Sequence, residues 1–111
     1  MTSVNFAVSE TTSFESFSTK GHSGYSEEGS DILCAAVSGA TELVVNVLEK
    51  FSIDFSLKVD ETKPYVLCDI TQNESNALKS EIIQHVIEGY IGYISDLAES
   101  YPEYIEISTE V

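Results

Sequence analysis

Arginine is missing from this sequence, and lysine is scarce. The basic residues are Lys20, Lys50, Lys58, Lys63 and Lys79, and none follows Lys79. Against these 5 lysines stand 19 Asp and Glu residues, for a net charge of −14. A nucleic-acid surface needs clustered cations to displace condensed counterions, so direct nucleic-acid binding is not expected. An anionic membrane surface is disfavoured for the same reason. A basic protein or peptide is the partner such a charge would steer inward, although acidity also serves solubility alone.

Cysteine is nearly as sparse. Cys34 and Cys68 fall in different expected elements, supply no disulfide framework and match no zinc spacing. The opening MTSVNFAVSE has neither the basic start nor the long apolar run of a signal peptide. The apolar stretch 82–98 contains His85, Glu88 and Asp96, so no spanning helix is expected there. The expectation is a soluble, reduced, intracellular protein without membrane association. With 111 residues, 42% of them hydrophobic, the chain suffices for one domain, 1–111, with an ordinary core.

What is present is periodic. Val4, Phe6 and Val8 alternate through 3–8 and predict a strand. A weaker strand signal runs over 14–21, where Phe14 and Phe17 break strict alternation and suggest a bulge. The stretch 23–30, SGYSEEGS, holds Gly24 and Gly29 with Tyr25 as its one apolar anchor, and is expected to be a mobile loop. Ser30 or Asp31 can cap a helix over 32–50. Its apolar stripe is expected to be Ile32, Ala36, Ala40, Leu43 and Val47, widened by Leu33, Val44 and Leu48, with Gly39 at the edge.

Strict alternation of Ile53, Phe55, Leu57 and Val59 predicts a strand at 53–59. Its expected hairpin partner is 65–70, which puts Cys68 beside Val66 and Ile70 as a buried structural thiol. A second helix over roughly 75–100, capped by Asn73 or Ser75, carries Leu78, Ile82, Val86, Ile87, Tyr90, Ile94, Leu97 and Tyr101. His85 falls on its polar side with Glu81, Glu88 and Ser95 and reads as a solvated histidine. Pro102 stops that helix, and 104–108 is a last strand. The order is β-β-α-β-β-α-β. It predicts an α+β fold, a mixed β-sheet with two amphipathic helices packed on it. Strand order does not follow from these patterns.

Chemistry concentrates between Gly21 and Ser38. On the expected stripe, Cys34 lies about 140° from its centre, in the helix's first turn. There the helix dipole and unpaired amides would favour a thiolate or an acyl oxyanion. His22, twelve residues upstream, could take the thiol proton and return it to a leaving amine. Asp31 could orient the imidazole or merely cap the helix. Ser38, one turn beyond Cys34, could bond within the site or face water. The residues alone leave open a nucleophile with its base, and a helix-cap cysteine beside a loop histidine. Metal binding by His22 and Cys34 would fall short of the three or four ligands a zinc site wants, so no metal or cofactor is expected.

The run G-H-x-G-x-x-x-x-G-x-D-I-L-C-A-A-V-S resembles the signature of a ribosomal-processing cysteine protease family of Firmicutes and related bacteria. The match runs through Gly21, His22, Gly24, Gly29, Asp31, Cys34, Ala35 and Ser38. The resemblance implies a small α+β homodimer of the bacterial cytoplasm. Its substrate would be a basic large-subunit ribosomal protein precursor, relieved of an N-terminal extension. His22 would be the base and Cys34 the nucleophile, with Asp31, Ser38 and Gly21 supporting them. The loop with Gly24, Tyr25 and Gly29 would gate the substrate. The competing expectation is a non-enzymatic, dimeric binding protein associated with ribosome assembly.

Overall fold

Alternation along the first strand sorts its side chains cleanly. In β1 (Thr2–Val8) Val4 and Phe6 are fully buried while Ser3 and Asn5 between them are not. The computed structural model describes residues 1–9, 13–21, 31–60, 62 and 65–111. The remaining elements are β2 (Phe14–Lys20), α1 (Ile32–Lys50), β3 (Phe55–Asp60), β4 (Tyr65–Ile70), α2 (Glu74–Ala77), α3 (Ser80–Ser100) and β5 (Ile105–Glu110). The strands form one sheet in the order β3-β4-β2-β1-β5. β1 runs parallel to β5, and the other pairs are antiparallel. The α+β fold and the mixed sheet are as the periodicity implies.

The expected irregularity in the second strand has a simple form. Ala7 pairs with Ser16 and Val8 with Phe14, so Glu15 has no partner in β1. That extra residue turns Phe14 toward the same core as Phe17 despite their odd spacing. The hairpin of β3 and β4 also forms, and Cys68 is fully buried between Val66 and Ile70 on the face that α1 and α3 cover.

The expected long second helix is in two pieces. α2 is capped by the Asn73 side chain, which accepts from the Asn76 amide at 2.8 Å. Asn76 is itself buried, accepting from the Asp54 amide and donating to the carbonyls of Asp54 and Thr71. Its polar atoms are satisfied at the position where the chain turns, and the helix restarts at Ser80. Leu78, in the turn, is 84% exposed instead of core.

α1 departs from expectation more consequentially. The residues it buries are Leu33, Val37, Thr41, Val44 and Leu48. Ile32 and Leu43, expected within the stripe, are 61% and 64% exposed. The helix is apolar on most of its circumference, so periodicity alone offers two adjacent stripes. The sheet takes the one containing Thr41, because that hydroxyl is satisfied. It donates to the Val37 carbonyl at 2.7 Å and bonds the Tyr90 hydroxyl at 2.6 Å. Tyr90 in turn meets Phe6 and Phe17 edge-on, at centroid distances of 5.6 and 5.1 Å. By length and composition alone α1 could cross a membrane. Here its inward stripe is part of the hydrophobic core.

Candidate active site

The site is built where β2 ends and α1 begins. Gly21 follows β2 with φ +87°, in the left-handed region. A β-carbon there would lie 2.6 Å from the Met1 carbonyl oxygen, so both conformation and space demand glycine. The Gly21 carbonyl accepts from the Thr2 hydroxyl at 3.3 Å, and Thr2 is only 2% exposed. The start of β1 therefore braces the chain immediately before His22. Thr2 carried no functional signal in the sequence, because a threonine in a strand is ordinary. His22, Gly24, Tyr25 and Gly29 lie outside the described residues.

At the other side of that segment, Asp31 is the N-cap of α1 and is 5% exposed. Its Oδ1 accepts from the amides of Leu33 and Cys34 at 3.1 and 3.0 Å. The Asp31 carbonyl takes the Ala35 amide at 3.1 Å and opens the helical ladder. The capping role weighed for Asp31 is thus observed. It also changes the chemistry expected of the helix end. The two first-turn amides that could have faced a thiolate or an oxyanion are engaged by a carboxylate. That negative charge also meets the positive end of the helix dipole. Activation of a thiol here then depends on a cation nearby, not on the helix alone.

Cys34 itself is half-buried. At 100° per residue it lies about 60° from the centre of the buried stripe, not opposite it. It sits at the margin of the core, with its backbone fixed by Asp31 and its side chain partly open. Ser38 is exposed one turn further on, about 40° around the helix from Cys34. The structure brings Asp31, Cys34 and Ser38 together on this first stretch of α1.

Cys68 provides the contrast. It is fully buried, and its thiol is pushed up to about 12, first by burial and then by the Asp69 carboxylate. His85 is exposed, 3.9 Å from both Glu81 and Glu88. It is a solvated helix histidine, as read from its position. Among the described residues no group of three or more His, Cys, Asp or Glu side chains could hold a metal ion.

A sequence profile of the family described as "Cysteine protease Prp" matches residues 1–106. No curated protein sequence matches the chain. Among solved structures, SMU.848 from Streptococcus mutans is similar, with 31% identity and TM-score 0.84. That match covers 99% of this chain and 94% of the other. The essential ribosomal processing protease Prp from S. aureus, in complex with a covalently linked product peptide, matches with TM-score 0.86 and 19% identity. It covers 99% of this chain and all of that one. The same S. aureus protease with a substrate peptide matches with TM-score 0.83 at 19% identity over the same shares.

Proposed function

The chain belongs to the family of cysteine protease Prp, and we propose that it removes the N-terminal extension of a basic large-subunit ribosomal protein precursor in the bacterial cytoplasm. The observation that carries this reading is the placement of Cys34. Its backbone is held by a buried carboxylate, and its thiol sits at the margin of the core in a family of cysteine proteases. The S. aureus relative adds support, since it is a ribosomal processing protease seen in complex with a substrate peptide and with a covalently linked product peptide.

In this mechanism His22 takes the Cys34 thiol proton. The thiolate attacks the scissile carbonyl carbon, forming a C–S bond and a tetrahedral oxyanion. Collapse breaks the C–N bond, and His22 gives its proton to the leaving amine. A water, deprotonated by His22, then attacks the thioester and releases the carboxylate product and the thiol. The imidazolium formed in the first step is the cation that the capped helix end calls for. Asp31 serves as the cap that fixes Cys34, with Ser38 beside it and Gly21 setting the chain direction into His22. The segment with Gly24, Tyr25 and Gly29 gates the substrate. The acidic surface attracts a basic substrate, and the active species is a homodimer.

Incubation of the protein with the host's precursor tests this. Cleavage at one bond is expected, lost in Cys34→Ala and His22→Ala. Binding of the precursor with no cleavage by the wild type would overturn it.

A further inference from the structure

The two flanks of α1 face different surroundings. On one, Ala36, Ala40, Leu43 and Val47 line a groove against α3. At 100° per residue they lie about 90° from the centre of the buried stripe. Cys34, Val45 and Ser38 lie about 60°, 80° and 100° from that centre in the opposite sense. α3 packs on β5, at one edge of the sheet. The flank that carries Cys34 is therefore turned toward the other edge, over β4 and β3.

What it overlooks there is apolar and open. On the helix side of the sheet, Thr19, Val66 and Val59 stand in one row across β2, β4 and β3, and Phe17, Cys68 and Leu57 stand in the next. Phe17 and Cys68 are buried, but Leu57 is 45% and Val59 57% exposed. The helix layer stops short of β3. The row with Val59 is the one nearer Gly21, at the end of the sheet where β2 delivers the chain to His22.

The alternation of β3 marks this face as one to be covered. Its polar residues Ser56, Lys58 and Asp60 take the other face, and Phe55, Leu57 and Val59 take this one. A solvated face has 19 Asp and Glu residues to draw on in this chain, and these positions hold none. Position decides the occupant. A peptide whose carbonyl carbon reaches the Cys34 thiol enters the corner between α1 and the β4–β3 surface, because the flank toward α3 lies on the far side of the helix. Extended chain in that corner sends alternate side chains down onto the sheet. β3 lies two strands from β2, about 10 Å, a distance that about three extended residues span.

We infer that Leu57 and Val59, beside the half-buried Val66, form a shelf that receives a large apolar side chain of the substrate within about three residues of the scissile bond. They select the substrate by contact and take no part in proton or acyl transfer. This rests on the cleavage reading above and names the surface that reads the substrate.

The test separates binding from cleavage. A fluorescein-labelled peptide spanning the cut in the host's precursor is titrated with Cys34→Ala and followed by anisotropy, while the wild type is assayed for cleavage. Adding Leu57→Ser or Val59→Ser to Cys34→Ala should weaken binding at least about 10-fold. Leu78→Ser, exposed at the turn between α2 and α3, should leave it unchanged. Replacing the large apolar residues of the peptide by serine should cost as much, and the two losses should not add, as expected of groups in contact. Circular dichroism and sedimentation equilibrium check folding and assembly, and if Leu57→Ser fails to fold, Val59→Ser decides. Folded variants that bind as tightly as Cys34→Ala overturn the inference, and so do losses that add in full. Dissociation of a dimer by Leu57→Ser and Val59→Ser would assign the shelf to a second copy and overturn it as well. A wild type that binds through Leu57 and Val59 but cuts nothing overturns the cleavage reading and supports the shelf.

Discussion

The first turn of α1 and the middle of β4 each hold one cysteine and treat it in opposite ways. Around Cys68 the fold closes completely, with Phe17 opposite it on β2 and Leu57 on β3, and the thiol is kept protonated. Around Cys34 the fold fixes the backbone and leaves the side chain half-buried. Burial makes a thiol inert, while a fixed backbone with a reachable sulfur prepares it for nucleophilic work. The two sites differ in exposure and in what holds them, not in residue type, and substitutions can separate the two factors.

The widest separation is expected from removing each sulfur in turn. Cys34→Ala should lower kcat/KM for the precursor by at least about 1,000-fold, with unfolding by urea little changed. Cys68→Ala should do the reverse, keeping kcat/KM within about threefold while costing about 1–2 kcal/mol of stability. Loss of cleavage in Cys68→Ala at a temperature where it is folded would break the comparison.

Alkaline pH should act on the buried groups. In the fold Cys68 is raised from 9.0 to about 12 and Tyr90 from 10.0 to about 12, both chiefly by burial. Above pH 9 the unfolded chain gives up protons that the folded chain keeps. The stability these groups contribute is complete below pH 9 and is lost progressively up to pH 12, on the order of a few kcal/mol. Urea midpoints measured from pH 8 to 11.5 should fall along that window. In Cys68→Ala the fall should begin about one unit higher, where Tyr90 alone remains.

At the other site the effects on stability are smaller. Gly21→Ala forces a left-handed conformation on alanine and crowds the Met1 carbonyl, costing about 1–3 kcal/mol. It should also depress kcat/KM, because the chain into His22 is redirected. Asp31→Ala removes the cap, for about 1 kcal/mol of stability. Asp31→Asn keeps an accepting oxygen for the Leu33 and Cys34 amides. Recovery of both stability and kcat/KM in the asparagine variant would mark Asp31 as a positioning residue. Recovery of stability alone would show that its charge acts in catalysis.

Much of this was readable in advance, and the exceptions share a cause. Alternation in Val4 and Phe6 was legible because one face of β1 is buried. The pairing of β3 with β4 was legible from alternation too, but the burial expected of Leu57 and Val59 does not follow, since both are exposed on this edge strand. The bulge was legible from Phe14 and Phe17 falling out of phase. The parallel pairing of β1 with β5 was not, since it depends on contacts a hundred residues apart. The buried side of α1 was misjudged because a polar Thr41 marks the true stripe, and only its bond to Tyr90 makes that acceptable. Cys34 was consequently expected opposite the core, whereas it lies at the margin. The motif from Gly21 to Ser38 was legible as chemistry, but Thr2 behind Gly21 was not, because its role appears only when β1 and β2 are paired.

The central claim is that Cys34 is a prepared nucleophile and Cys68 a structural thiol. Brief treatment with iodoacetamide at pH 7.5, followed by mass spectrometry of the peptides, tests it most directly. Cys34 should be alkylated at least about 1,000-fold faster than Cys68, and His22→Ala should slow the Cys34 reaction while leaving Cys68 unchanged. Equal and slow alkylation of both thiols, indifferent to His22, would contradict the account.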